Sequence, residues 1–141
     1  MRILVVDDNP ADVNLIQEFL EDITKVECMI KVIANGTDAL KFLVPDQGDC
    51  DSPVDLIILD LSLPGASGHD ILTVLKEYRN STPIIVYSGS SNRDDIDRAY
   101  RSQASCYVVK PTTYEEINEV LTTLGKFWLT IAKLPSRGLK S

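Results

Sequence analysis

Acids, a hydroxyl and an ammonium recur in one local setting along this chain, at or directly after the end of a short apolar run. Asp7 and Asp8 follow Ile3 to Val6, Asp60 follows Leu56 to Leu59, Ser88 follows Ile84 to Tyr87, and Lys110 follows Tyr107 to Val109. If the fold gathers them, the carboxylates of Asp7, Asp8 and Asp60 repel one another unless a cation is bound among them. A single histidine, His69, and three cysteines without CxxC spacing, Cys28, Cys50 and Cys106, leave little for a zinc site or a disulfide framework. Oxygen-only ligands instead suit a hard dication such as Mg²⁺ beside a phosphoryl group. Lys110 and Ser88 would then bind phosphoryl oxygens, and Asp60 would be free to act as nucleophile.

The elements that must position these groups can be read from periodicity. The four apolar runs are too short for helices, rich in β-branched residues and continuous rather than alternating, which suits strands buried on both faces. Between Lys25 and Ile33 the pattern alternates, with Val26, Cys28, Ile30 and Val32 on one side, as in a strand at a sheet edge. Helical periods fill the gaps behind capping spacings: Asn9 to Asp12, Ser67 to Asp70, Asn92 to Asp95 and Thr113 to Glu116, with a shorter helix after Asn35-Gly36. Strands alternating with helices predict an α/β fold, a doubly wound parallel sheet of five strands with helices on both faces. In such sheets ligands bind outside the carboxyl ends of the strands, where these reactive residues stand.

The 141 residues suit one domain, read as 1–134 with a tail over 135–141, and the turn-rich stretch 45–53 reads as a surface loop. A formal net charge of −7 opposes binding to nucleic acid or anionic lipid. No apolar run approaches the ~18 residues of a membrane span, and the amino terminus turns acidic at Asp7-Asp8, so the cytoplasm is the expected compartment.

From Ile3 to about Trp128 the chain resembles a two-component response-regulator receiver domain. The resemblance is carried by Asp7-Asp8, Asp60 with Pro64 and Gly68 following, Ser88-Gly89 and Lys110-Pro111, in order and at strand ends. It implies a flavodoxin-like sheet in the order 2-1-3-4-5 and a stand-alone, chemotaxis-regulator-like switch. The switch would catalyse only its own phosphorylation and dephosphorylation. Asp60 would accept a phosphoryl group from the phosphohistidine of a histidine kinase or phosphotransfer protein. Mg²⁺ would be held by Asp8, by Asp60, by the Ser62 carbonyl and, through water, by Asp7. Ser88 would close on the phosphoryl group, Lys110 would pair with it, and Tyr107 would turn inward as Ser88 moves. The Lys110–Pro111 bond is expected to be cis. Signalling would run through the face of the fourth helix, fifth strand and fifth helix, which suggests a phosphorylation-sensitive homodimer. Asp8-Asn9-Pro10-Ala11-Asp12, the insertion at 45–53 and the ending Lys126 to Thr130 and Lys133 to Pro135 are similar to regulators associated with phytochrome-type kinases.

Each feature also has a plainer reading. Asp7 and Asp8 can serve only as helix N-terminal acids. His69 is expected exposed in a first helical turn, Cys28 and Cys106 as small core residues, and Asp46, Asp49 and Asp51 as a solvated loop without calcium spacing. The stripe Phe127, Trp128, Ile131, Leu134 suits either core packing or a second subunit. An Asp-nucleophile phosphatase or phosphotransferase acting on small phosphate esters is the rival function, although such enzymes usually have Asp-x-Asp after the first strand. A nucleotide or flavin binder lacks its Gly-rich loop here.

Overall fold

The computed structural model describes residues 1–23, 27–44, 53–78 and 81–135. The elements run β1 (Arg2–Val6), α1 (Pro10–Ile23), β2 (Met29–Ile33), α2 (Gly36–Leu43), β3 (Leu56–Leu59), α3 (Gly68–Glu77), β4 (Ile84–Ser88), α4 (Arg93–Arg101), β5 (Cys106–Val109) and α5 (Tyr114–Lys126). The strands form one parallel sheet in the order β2-β1-β3-β4-β5, as expected.

Alternate residues of each strand point to opposite faces, so one apolar run supplies two cores. Leu4, Val6, Ile57, Leu59, Ile84 and Val86 pack with Ala39 and Leu43 of α2, Ile71, Leu72 and Leu75 of α3 and Ala99 of α4. Ile3, Val5, Leu56, Ile58, Ile85 and Tyr87 pack on the other side with Val13, Ile16, Phe19 and Leu20 of α1 and Leu121 of α5. Of the side chains expected on one face of the edge strand, Cys28 just before β2 and Ile30 within it join the α1 and α5 side, whereas Val32 departs from the expectation and is exposed. Val26 lies outside the described residues, as do the loop residues 45–52, including Cys50 and the three loop acids, and the tail from 136 onward.

Three of the four capping spacings perform as expected. Asn9 Oδ1 accepts from the Ala11 and Asp12 N–H groups at 2.9 and 3.2 Å. Ser67 and Asp70 form a reciprocal capping box, and Thr113 caps through Glu116 N–H. At α4, Asn92 takes the N–H of Asp94 instead, which leaves the Asp95 carboxylate for other partners. Beyond α5 the chain continues as a π-helical turn, Phe127–Ile131. The apolar stripe divides there: Trp128 and Leu129 pack on the sheet side, while Phe127 and Ile131 face outward.

Candidate functional site

Strand register brings the reactive residues together. Val6 is paired with Leu59 and Leu59 with Val86, so the residues following β1 and β3 emerge side by side. On the far side Ser88 pairs with Val109, which sets Lys110 one step beyond the end of β5. Asp60 N–H donates to Val6 O at 2.9 Å and Lys110 N–H donates to Ser88 O at 2.7 Å, tying the strand ends together. Asp7, Asp60 and Ser88 are only 3%, 6% and 1% exposed, whereas Asp8 is open to solvent.

Burying carboxylates is costly unless their charge is met. The Lys110 ammonium meets it, donating to Asp7 Oδ2 at 3.0 Å, Asp60 Oδ2 at 3.1 Å and Asp12 Oδ2 at 2.8 Å. Burial opposes the charge on Lys110, but the hydrogen bonds to Asp12, Asp7 and Asp60 outweigh it and raise its pKa. For Asp7 the balance runs the other way: burial raises its pKa, and the Asn9 N–H and Lys110 only partly offset this. One ammonium shared among three carboxylates leaves Asp7 under-compensated, so a second cation suits the site. Carboxylate oxygens of Asp7, Asp8 and Asp60 lie within 4.8 Å of one another, an all-oxygen set that fits a hard dication. Ser62 N–H donates to Asp60 Oδ1 at 3.3 Å, so the turn carrying Ser62 folds back over the Asp60 carboxylate.

On the β4 side the hydroxyl of Ser88 accepts from Ser90 N–H at 3.3 Å, and the Tyr107 hydroxyl donates to Ser90 O at 2.8 Å. The half-buried Tyr107 is thus tied to the loop that carries Ser88.

Two expectations need correction. The Lys110–Pro111 bond is trans, since no cis peptide occurs among the described residues. The trans form of an X-Pro bond is intrinsically favoured by about 0.5 to 1 kcal/mol, and with it Lys110 already reaches all three carboxylates. His69 is buried at 7% exposure rather than exposed. Its neighbour Gly68 presses on the Asp60–Leu61 backbone, drawing the first turn of α3 onto the sheet, and Asp95 of α4 meets the ring.

Sequence reasoning missed two participants. Asp12 was legible only as an acid in the first turn of α1, yet it makes the shortest bond to Lys110. Asp95 stands in the first turn of α4, where it likewise read only as an acid at a helix start.

A family model described as the response regulator receiver domain matches residues 3–122. Response regulator Rcp1 of Synechocystis sp. is 30% identical, over 95% of this chain and 92% of its own. The crystal structure of the Mn(2+)-bound form of Rcp1 superposes with a TM-score of 0.86 at 29% identity, covering 96% of this chain and 99% of that one. The phosphorylated cyanobacterial phytochrome response regulator RcpA gives the same TM-score, 0.86, at 33% identity, covering 96% of this chain and 98% of its own. With its five-stranded 2-1-3-4-5 sheet and its acids and lysine at one sheet edge, the chain belongs to the response-regulator receiver family.

Proposed function

We propose that the chain accepts a phosphoryl group on Asp60 from a phosphohistidine of a histidine kinase or phosphotransfer protein and signals through contacts that change on phosphorylation. An Asp60 carboxylate oxygen forms the new P–O bond. The P–N bond of the donor breaks, and its electron pair returns to the imidazole nitrogen, which takes up a proton. Asp7, Asp8, Asp60 and the Ser62 carbonyl would hold Mg²⁺, which supplies charge stabilisation for the transferring phosphoryl oxygens. Lys110 donates to one of those oxygens and Ser88 closes on another, so charge spread in the transition state meets donors already in place. Tyr107, hung from Ser90, follows the loop as Ser88 moves.

The observation that carries this reading is the Lys110 Nζ to Asp60 Oδ2 contact of 3.1 Å beside the three-carboxylate group. The likeness to a phosphorylated phytochrome response regulator supports a phytochrome-type kinase as the donor. Exposed Tyr100, Val109 and Tyr114 on α4, β5 and α5 support a homodimer through that face.

Intact-protein mass after incubation with acetyl phosphate tests the reading, with and without Mg²⁺, for the natural chain and Asp60→Asn. One added phosphoryl group that requires both Mg²⁺ and Asp60 is expected. Turnover of small phosphate esters without any adduct would favour the phosphatase reading instead.

A further inference from the structure

The Lys110 ammonium has three protons, and each finds a carboxylate. The shortest bond, 2.8 Å, goes to Asp12, which takes no part in the chemistry proposed above. Asp12 stands apart from the group of carboxylates able to share a metal, Asp7, Asp8 and Asp60. It belongs to the first turn of α1, where its backbone N–H is fixed by Asn9 Oδ1 at 3.2 Å. Its side chain is about one quarter exposed.

Phosphoryl transfer makes demands on the other two partners of Lys110. Asp60 forms the new bond, and a dication would draw on both Asp7 and Asp60. A lysine with a flexible four-carbon stem would then lose the acceptors that direct it. The ring of Tyr87 lies 5.8 Å from Nζ and supplies a face, but no directed acceptor. Asp12 is the charged acceptor that the reaction leaves alone.

We propose that Asp12 is a positioning residue for Lys110, anchoring the ammonium while Asp7 and Asp60 are drawn away and a phosphoryl oxygen takes their place. The proposal rests on the reading of Asp60 as phosphoacceptor. Anchoring and plain charge repulsion differ in sign. A carboxylate that merely repelled an anionic donor would slow uptake, and its removal would speed it. An anchor, once removed, leaves Lys110 misaligned and slows uptake.

The test uses the full chain with acetyl phosphate across a Mg²⁺ titration, comparing the natural protein with Asp12→Ala and Asp12→Asn. Misplacement of a catalytic group is expected to lower the maximal rate of Asp12→Ala by about tenfold, with much of this recovered in Asp12→Asn, which keeps an oxygen acceptor. The half-saturating Mg²⁺ concentration is expected to stay within about twofold, because Asp12 is not a ligand. The Lys110 ammonium resonance, read by nitrogen-15 NMR before any donor is added, is expected to be lost in Asp12→Ala while the backbone spectrum persists. An Asp12→Ala rate equal to or above that of the natural chain would overturn the proposal. So would a Mg²⁺ requirement raised about tenfold or more, which would make Asp12 a ligand. If the natural chain itself takes up nothing at Asp60, the phosphoacceptor reading fails first and the proposal with it.

Discussion

His69 Nε2 lies 3.1 Å from Asp95 Oδ1, fastening the first turn of α3 to the first turn of α4. The other oxygen of Asp95 accepts from the Ser90 hydroxyl at 2.6 Å, and Ser90 in turn holds Tyr107 through its carbonyl and Ser88 through its N–H. Ser88 and Tyr107 therefore both hang from one loop residue, and that residue hangs from a carboxylate on α4. Among the described residues, His69 Nδ1 is buried with no hydrogen-bond partner, so Asp95 is the histidine's polar support in the native state.

Losing that support should be costly. Asp95→Ala leaves a buried imidazole nitrogen and the Ser90 hydroxyl without their acceptor, a loss of about 1 to 3 kcal/mol in stability. Urea unfolding of Asp95→Ala, His69→Phe and the double variant should show coupling of at least about 0.5 kcal/mol between the two sites. Strict additivity would mean that the contact does not hold the helices together.

Acid stability follows from two carboxylates at helix starts. The Ser90 hydroxyl and His69 hold the Asp95 carboxyl below its usual range, and the Ser67 N–H and hydroxyl do the same for Asp70. A carboxyl with a lowered native pKa stabilises the fold above its unfolded value, near 4, and that contribution is lost as the pH falls through the lowered native value. Unfolding free energy should therefore fall more steeply below about pH 4 in the natural chain than in Asp70→Asn or Asp95→Asn. Equal slopes in parallel pH series of urea melts would contradict this.

The Lys110 cluster makes a prediction about ions. In Lys110→Met the buried carboxylates of Asp7 and Asp60 lose their cation, and breaking a buried ion pair from one side typically costs about 3 to 5 kcal/mol. The same ammonium competes with a dication for those oxygens. Added Mg²⁺ should thus raise the melting temperature of Lys110→Met by more than it raises that of the natural chain, since binding to the native state stabilises it by mass action. Thermal melts over a Mg²⁺ series measure both effects, and an equal shift in the two proteins would argue against a metal among these carboxylates.

The sheet and the site's main residues were legible because buried parallel strands leave continuous apolar runs, and the residues just past those runs must all emerge at one edge. Asp7, Asp60 and Lys110 were found that way without any knowledge of contacts. His69 was misread because its burial comes from Gly68, whose missing side chain lets α3 close on the Asp60–Leu61 backbone; a helical period counts apolar residues and does not register such an approach. Asp12 was hidden for a related reason, since an acid in a first turn is fully accounted for by the helix dipole until the structure shows which cation it faces. The divided stripe at Phe127 to Ile131 depends on a π-helical turn that shifts the facing of successive residues, and apolar spacing alone cannot signal it.

Gly68 gives the sharpest packing test. A Cβ there would stand 2.5 Å from Asp60 O and 2.6 Å from Leu61 Cα, both backbone atoms of the segment that carries the proposed phosphoacceptor. Neither atom can rotate away, so Gly68→Ala must push α3 off the sheet or displace Asp60. Overpacking of this kind typically costs about 1 to 3 kcal/mol, partly offset by the better helix propensity of alanine. Because Gly68 N–H also donates to Leu61 O at 3.0 Å, the displacement bears directly on the turn after β3. Gly68→Ala should accordingly be destabilised in urea and also slow phosphoryl uptake at Asp60. A control at the exposed Gly89, where a Cβ would meet nothing within 4 Å, should leave stability nearly unchanged. If both alanine variants unfold alike, close packing at Gly68 is not what sets the position of Asp60.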